Sequence, residues 1–359
     1  MLKIGFMLII FLLQVVSGSI TTLTTANAAT AVSSEAAPGI EITIAFAYGG
    51  EIYLTDFAAD PINLTHSVGY ETNPTWSPDG QSLAFLAGES EAETGDLHVT
   101  VLDLATGKIR QLNDVPFTTE TKLAWSPDGA HIATTAGTIF MMDAATGAAR
   151  SLVSDCGSCN LNWLPDSSGL IFQNLDELYR IDTAGEQLQP IMPVSDPISA
   201  FEPILAPVTG EVVFISTVGD KSGLFAIDLD DTPIQPRLLF DNSRYFSYPY
   251  AWSPDGQYVA FNLSANDPAD TSLAGGSNLY VINRDGTDMR LMSGDAIDAL
   301  VGWSNDSQHI LYYAGVPGDA DGSYYAVNIH DGAQTRLSGD NLDLMCAYSG
   351  CRSIVVRPG

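Results

Sequence analysis

Positive charge is what this sequence has least of. Fourteen lysines and arginines face 43 aspartates and glutamates in 359 residues, a net charge of −29. Such a field repels phosphate backbones and anionic bilayer surfaces, which excludes nucleic acid as a partner. Histidine is scarce too: the five present include no pair at His-x3-His spacing, so no metal site of that kind is written in the chain. Gly-x-Ser-x-Gly, the nucleophile elbow of serine hydrolases, does not occur. Apolar residues, by contrast, are plentiful. They make up 45% of the chain against 16% charged residues, which is the composition of a packed core and not of a disordered tail.

Outside the first 20 residues no apolar run is long enough to span a bilayer. At the N-terminus, Lys3 precedes the apolar stretch Ile4 to Val16, and Ser and Thr residues lead to Ala26-Asn27-Ala28-Ala29. The stretch is broken at Gln14 and ends at Gly18, too short for an anchor, so residues 1–29 read as a secretory signal peptide cleaved after Ala28 or Ala29. Cleavage removes Lys3 and no acid, which deepens the net charge to −30. The mature protein is expected in the periplasm or outside the cell.

Cysteine is limited to two close pairs, Cys156-x-x-Cys159 and Cys346-x4-Cys351. In an exported chain these read as two local disulfides; a redox-active pair or a shared zinc site would use the same residues. The repeat places the pairs several units apart, which argues against a shared zinc.

The repeat is the strongest signal. Trp76-Ser-Pro-Asp-Gly80 recurs at Trp125–Gly129 and Trp252–Gly256, with weaker copies at Trp163-Leu-Pro-Asp166 and Trp303-Ser-Asn-Asp306. Each copy precedes an alternating apolar strand, such as Ser82-Leu-Ala-Phe85 or His309-Ile-Leu-Tyr312, then a second strand and a short third one. Proline presets the turn, Asp tolerates its second position and Gly supplies positive φ. Holding the register reveals a degenerate copy with Leu205 in the tryptophan position. The last copy, Cys346 to Val356, lacks its remaining strands, which stand at the other end of the chain in Ile42 to Tyr48, Glu51 to Thr55 and Asn63 to Thr65.

The anchors at 76, 125, 163, 205, 252 and 303 lie 38 to 51 residues apart, close to the spacing of about 40–50 for propeller blades. The chain is therefore expected to be all-β: a propeller of four-stranded antiparallel blades over residues 42–359, closed by joining its terminal strands, with residues 30–41 as a short linker. Seven blades are expected; six stays open if the Leu205 copy is an insertion. Each sheet buries both faces against its neighbours and leaves only short edges.

The segment Asn63-Leu-Thr-His-Ser-Val-Gly-Tyr-Glu-Thr-Asn-Pro-Thr-Trp-Ser-Pro-Asp-Gly80 resembles the WD40-like propeller repeat of the TolB family. There, Leu-Thr closes one blade and Pro-x-Trp-Ser-Pro-Asp-Gly opens the next. The resemblance covers about the whole mature chain, but the small α/β domain that precedes the TolB propeller has no counterpart in Thr30 to Glu41. It implies the fold, and it implies the binding of proteins or peptides.

In a blade whose strands run a to d from the axis outward, the Ser-Pro-Asp-Gly turns join a to b on one face. The b-to-c and d-to-a loops share the other, which collects the acidic insertions 88–94, 265–271 and 315–322. Loops on a rigid scaffold are the usual seat of function, so a protein or peptide partner, possibly a basic one in view of the charge, is expected there, with solvated acidic loops as the bland reading. One d-to-a loop differs: it offers Arg244, Tyr245, Phe246 and Tyr248, residue types that form binding hot spots, although Phe246 and Tyr248 would serve equally as packing between blades. Asp319-Ala-Asp321-Gly322 echoes the start of a calcium loop but lacks the later ligands and the closing glutamate, so no cofactor is expected. His131 and His309 each fall six residues after their blade's Trp and read as exposed repeat positions.

The functional expectation is an exported, non-catalytic binding module, acting as a monomer. A propeller enzyme of lactonase-, lyase- or glycan-active type, with a site dispersed around the channel, and a carbohydrate binder stay open beside it.

Overall fold

The computed structural model describes residues 40–90, 96–156, 159–175, 177–191, 201–241, 246–264, 277–293, 298–315, 322–338, 342 and 352–359. They form seven four-stranded antiparallel sheets, so seven blades are present and the Leu205 copy is a blade in its own right.

Blade 1 takes strand a from the C-terminus (Arg352–Val356) and strands b to d from the N-terminal part (Ile44–Tyr48, Glu51–Thr55, Ile62–Asn63). Blade 2 is Tyr70–Trp76, Ser82–Gly88, His98–Asp103 and Lys108–Gln111. Blade 3 is Lys122–Trp125, His131–Thr135, Ile139–Asp143 and Ala149–Val153. Blade 4 comprises Leu161–Trp163, Gly169–Asn174, Glu177–Asp182 and Gln189–Pro190, and blade 5 Phe201–Leu205, Glu211–Val218, Lys221–Asp228 and Arg237–Asp241. Blade 6 is Phe246–Trp252, Tyr258–Ser264, Ser277–Asn283 and Arg290–Ser293; blade 7 is Asp298–Trp303, His309–Ala314, Ser323–Asn328 and Gln334–Arg336. Ile40 and Ile42, just ahead of the first strand, are already buried in a cluster with Leu311, Tyr324 and Ala326 of blade 7.

The b strands carry the core because they have a sheet packed on each face. Val259, Ala260 and Phe261 in blade 6, and Leu83, Ala84 and Phe85 in blade 2, are wholly buried although consecutive side chains point to opposite faces. Clusters span blade boundaries accordingly: Ala206, Val213 and Leu224 of blade 5 pack with Trp252, Val259 and Phe261 of blade 6.

The signature turn is built from its own residues. In blade 2, Ser77 Oγ donates to Asp79 Oδ1 at 2.6 Å, Gln81 N donates to the same oxygen at 3.0 Å, and Gly80 N donates to Ser77 O at 2.9 Å. Gly80 has φ +63, and a side chain there would run into Arg357. The Ser–Asp bond recurs at 2.6 Å in blades 3, 6 and 7. Where the glycine is replaced, by Ser167 (φ 60) and Ser307 (φ 59), the serine hydroxyl accepts from the backbone N–H of Asp128 or Asp255 in the preceding blade. That bond offsets part of the cost of the left-handed backbone.

Two repeated contacts close the blade boundaries. First, the indole N–H of an anchoring Trp donates to the carbonyl just before the preceding blade's anchor: Trp76 to Val355 at 3.2 Å, Trp163 to Ala124 at 3.0 Å, Trp252 to Ile204 at 3.3 Å and Trp303 to Ala251 at 3.2 Å. Leu205 cannot donate, and Asn162 of blade 4 substitutes by bonding Pro203 O at 2.9 Å and Leu205 N at 3.2 Å. Second, a strand-d arginine reaches a carbonyl near the next blade's c-to-d turn: Arg110 to Ala144 at 2.8 Å, Arg150 to Ala184 at 2.7 Å, Arg237 to Arg284 at 3.0 Å, and Arg290 to Ile329. The scarce cations are thus largely structural. Replacing Trp252 with Ala is expected to cost about 3–5 kcal/mol, from a large cavity at the blade 5/6 boundary plus the lost indole bond, measured as a fall in denaturation midpoint.

His131 and His309 are repeat residues, as expected, but both are half-buried and not exposed. The reason is the same boundary: the His131 ring stacks on Trp163 of the next blade at 6.3 Å, as Tyr258 does on Trp303.

Candidate functional site: the channel and its two mouths

The innermost strands line a central channel. Toward the Ser-Pro-Asp-Gly face it widens into a cavity of about 570 Å³ walled by Trp76, Trp125, Trp252, Trp303, Ile354 and Val356. This end is apolar because the anchoring residues do double service, closing blade boundaries with one edge and walling the channel with another.

At the opposite end, where the d-to-a loops enter the a strands, the described residues of blades 2 to 5 are polar. Three residues before the anchor stand Asn73, Lys122, Asn160 and Glu202 in blades 2 to 5, whereas blades 6 and 7 have Pro249 and Leu300. Lys122, Asn160 and Glu202 form a hydrogen-bonded chain, and Asn73 extends the belt by bonding the loop that leads into Lys122. Asn73 Nδ2 donates to the carbonyls of Thr119 (2.7 Å) and Thr121 (2.9 Å) in the loop entering blade 3. Lys122 Nζ donates to Asn160 Oδ1, and Asn160 Nδ2 donates to Glu202 Oε2. Tyr250 of blade 6 then donates to the Glu202 carbonyl, while Glu202 N donates to Gln173 Oε1 at 3.1 Å.

Asn73 and Glu202 hold left-handed backbone, φ 52 and 51, inside bulges at Thr72/Thr75 and Phe201/Ile204. Non-glycine residues in that region carry strain of order 1–3 kcal/mol, and such strain concentrates at binding sites. The belt escapes a reading that looks for loops, because Asn73, Lys122 and Glu202 sit on strands and Asn160 directly precedes one. Aligning the position three before each anchor would have found it.

Beside the belt, Glu71 at the start of blade 2 is buried, and its Oε2 has no hydrogen-bond partner. Burial pushes its carboxyl above the ordinary range, with the Glu51 carboxylate adding to the effect and bonds from Thr65 and Ser67 opposing it. A carboxyl with raised folded pKa contributes stability below its unfolded pKa and loses it as pH rises through the folded value. Glu71→Gln is therefore expected to gain stability relative to the native protein as pH rises from 4 to 8, read from paired melts across that range.

The loop singled out in the sequence is only partly within view. Arg244 and Tyr245 lie outside the described residues. Phe246 and Tyr248 belong to strand a of blade 6, not to the loop: the strand runs Phe246–Trp252, with Phe246 paired to Leu263 and a bulge between Ser247 and Tyr250. This places them at the mouth where the belt ends. Cys156 and Cys159 are joined as a disulfide at the entry to blade 4, while Cys346 and Cys351 lie outside the described residues. The same holds for Asp319 and Asp321; among the described residues no cluster of His, Cys, Asp or Glu is arranged to hold a metal. No helix among them is long and apolar enough to cross a membrane.

No protein-family model matches the chain, and no curated protein matches it. Solved structures do. TolB from Acinetobacter baumannii is 14% identical, with 89% of this chain and 67% of that one aligned at a TM-score of 0.51. An oligogalacturonate lyase in complex with manganese is also 14% identical, aligning 78% of this chain and 83% of that one at 0.60. A prolyl endopeptidase is 11% identical at 0.60, and this chain spans only 50% of its length. The class the fold defines is therefore a seven-bladed β-propeller, similar in architecture to TolB, a lyase and a peptidase. At these identities the likeness establishes architecture and leaves the activity to be argued from the site.

Proposed function

We propose that the chain is an exported, non-catalytic binding module that engages a protein or peptide partner at the d-to-a mouth of its channel. The observation that carries this reading is the belt from Asn73 to Tyr250. Its amides, ammonium and carboxylate are fixed by one another, so they offer preorganised donors and acceptors along an arc of the rim, with little ordering left for the moment of binding. Arg244, Tyr245, Phe246 and Tyr248 continue the arc in sequence and would supply the aromatic and guanidinium anchors that dominate interface energetics. The net charge favours a basic partner and a fast, salt-sensitive encounter.

A dispersed-site propeller enzyme is the second reading, and Glu71 favours it: a buried carboxyl whose pKa is raised by burial is a common acid or base.

Affinity capture separates them. The oxidised mature protein is immobilised, offered envelope and secreted fractions, and washed at about 0.5 M salt to strip non-specific basic proteins. A retained partner whose affinity falls by at least about tenfold in Glu202→Ala and in the Arg244→Ala, Tyr245→Ala double variant supports the module. A partner indifferent to all three substitutions, or none retained, overturns it.

A further inference from the structure

We infer that the cleft between blades 2 and 3, on the Ser-Pro-Asp-Gly face and away from the polar mouth, is a binding site for a short neutral oligosaccharide. Its volume is about 670 Å³, within the range of about 300–1,000 Å³ for small-molecule sites.

At the boundary between these blades an anchoring tryptophan is present, but its indole N–H makes no bond to the preceding blade among the described residues. The other four indoles are buried to 5–8% exposure and donate to the preceding blade. Trp125 is half-buried, lines the cleft, and its indole N–H, though shut off from water, has no acceptor among the described residues. An unsatisfied buried donor calls for an explanation. The indole packs against the apolar cluster between blades 2 and 3 and, being half-buried, leaves part of its ring on the cleft wall.

The groups around it are those that polyhydroxyl compounds need. Asp79, Asp103 and Asp128 each have Oδ1 fixed within their own turn: by Ser77 and Gln81 N, by the N–H and hydroxyl of Thr106, and by Ser126 and Ala130 N. The second oxygen of each is left without a hydrogen bond among the described residues, so three rigid acceptors line the cleft. Lys108, exposed and with no hydrogen bond from its ammonium among the described residues, and Arg110, held at one end by Ala144 O at 2.8 Å, supply donors. Acceptors and donors together match sugar hydroxyls, which do both, and the indole face matches the apolar C–H face of a pyranose. Three carboxylates against two cations give no net positive field, so an anionic ligand is not what the cleft selects.

The test labels the five tryptophans with 5-fluorotryptophan and assigns the Trp125 resonance by its loss in Trp125→Phe. Cellobiose, lactose and chitobiose are then titrated in turn. At least one is expected to shift the Trp125 resonance saturably with Kd of about 0.1–1 mM. Lys108→Ala, an exposed position whose loss leaves the fold intact, is expected to weaken that Kd at least about fivefold, as loss of a charge-assisted hydrogen bond does. The inference is overturned if none of the three shifts that resonance up to about 10 mM, or if the shift survives Lys108→Ala unchanged. Equal shifts at the channel residues Trp76, Trp252 and Trp303, or a matching shift with trialanine, would also overturn it.

Discussion

Deleting residues 352–359 is expected to abolish the cooperative unfolding transition of the entire propeller, not merely to fray one edge. The segment supplies strand a of blade 1, pairing Val356 with Ile44, Val355 with Ala45 and Arg352 with Ala47. It then clamps blade 2: Val355 O accepts the Trp76 indole, Arg357 Nε donates to Gly80 O at 2.9 Å, and the Arg357 guanidinium lies 5.4 Å over the Trp76 ring. Without it, Ile44, Ala45 and Phe46, all wholly buried, become part of an open edge, a template for aggregation. The lost pairing, burial and clamp together exceed about 5 kcal/mol, the low end of typical domain stability. Near-UV circular dichroism melts and soluble yield read the outcome. A truncated protein that melts cooperatively within a few degrees of the full chain would show that the ring does not depend on this closure.

The second large effect centres on Glu211. Its side chain is 4% exposed at the start of strand b in blade 5, and it takes Arg237 on Oε1 and Arg284 of blade 6 on Oε2 at 3.0 Å. The two guanidiniums are 45% and 37% exposed, so most of the desolvation falls on the carboxylate. Removing both arginines together strands that charge in the core, and Arg237→Ala, Arg284→Ala is expected to lose about 3–5 kcal/mol, read as a drop in urea midpoint. Glu211→Leu on the same background is expected to recover much of the loss, since a hydrophobic isostere removes the uncompensated charge. If the triple variant is no more stable than the double one, the penalty lies in the lost Arg237–Arg284 carbonyl bond and not in the buried carboxylate.

Much of the fold was legible because each blade announces itself. Trp, Pro, Asp and Gly in fixed order specify a turn by local chemistry, and the same alternating strand follows, so the repeat survives even where Leu205 replaces the tryptophan. Joining the terminal strands followed from a last copy that was incomplete. The site was far less legible. Successive members of the set Asn73, Lys122, Asn160 and Glu202 lie 38 to 49 residues apart along the chain, and the set comprises three residue types; what unites them is a register position that only the ring brings onto one arc. The expectation fell on a loop because loops differ in composition, whereas Phe246 and Tyr248 proved to lie on a strand. Histidine burial was missed for a related reason: alternation along a strand tells which face a residue takes, but not that the next blade's Trp163 covers that face.

The arginine staples have a consequence for behaviour in concentrated brine. Arg110, Arg150, Arg237 and Arg290 each join blades by giving a guanidinium N–H to a neutral carbonyl, an ion–dipole contact that screening barely weakens, unlike an exposed ion pair. The carboxylates that dominate the exterior repel one another, and dissolved ions relieve that repulsion. Added electrolyte thus acts chiefly on the skin of the molecule and spares these four staples, so high salt is expected to cost the ring less than it would cost a protein cemented by surface ion pairs.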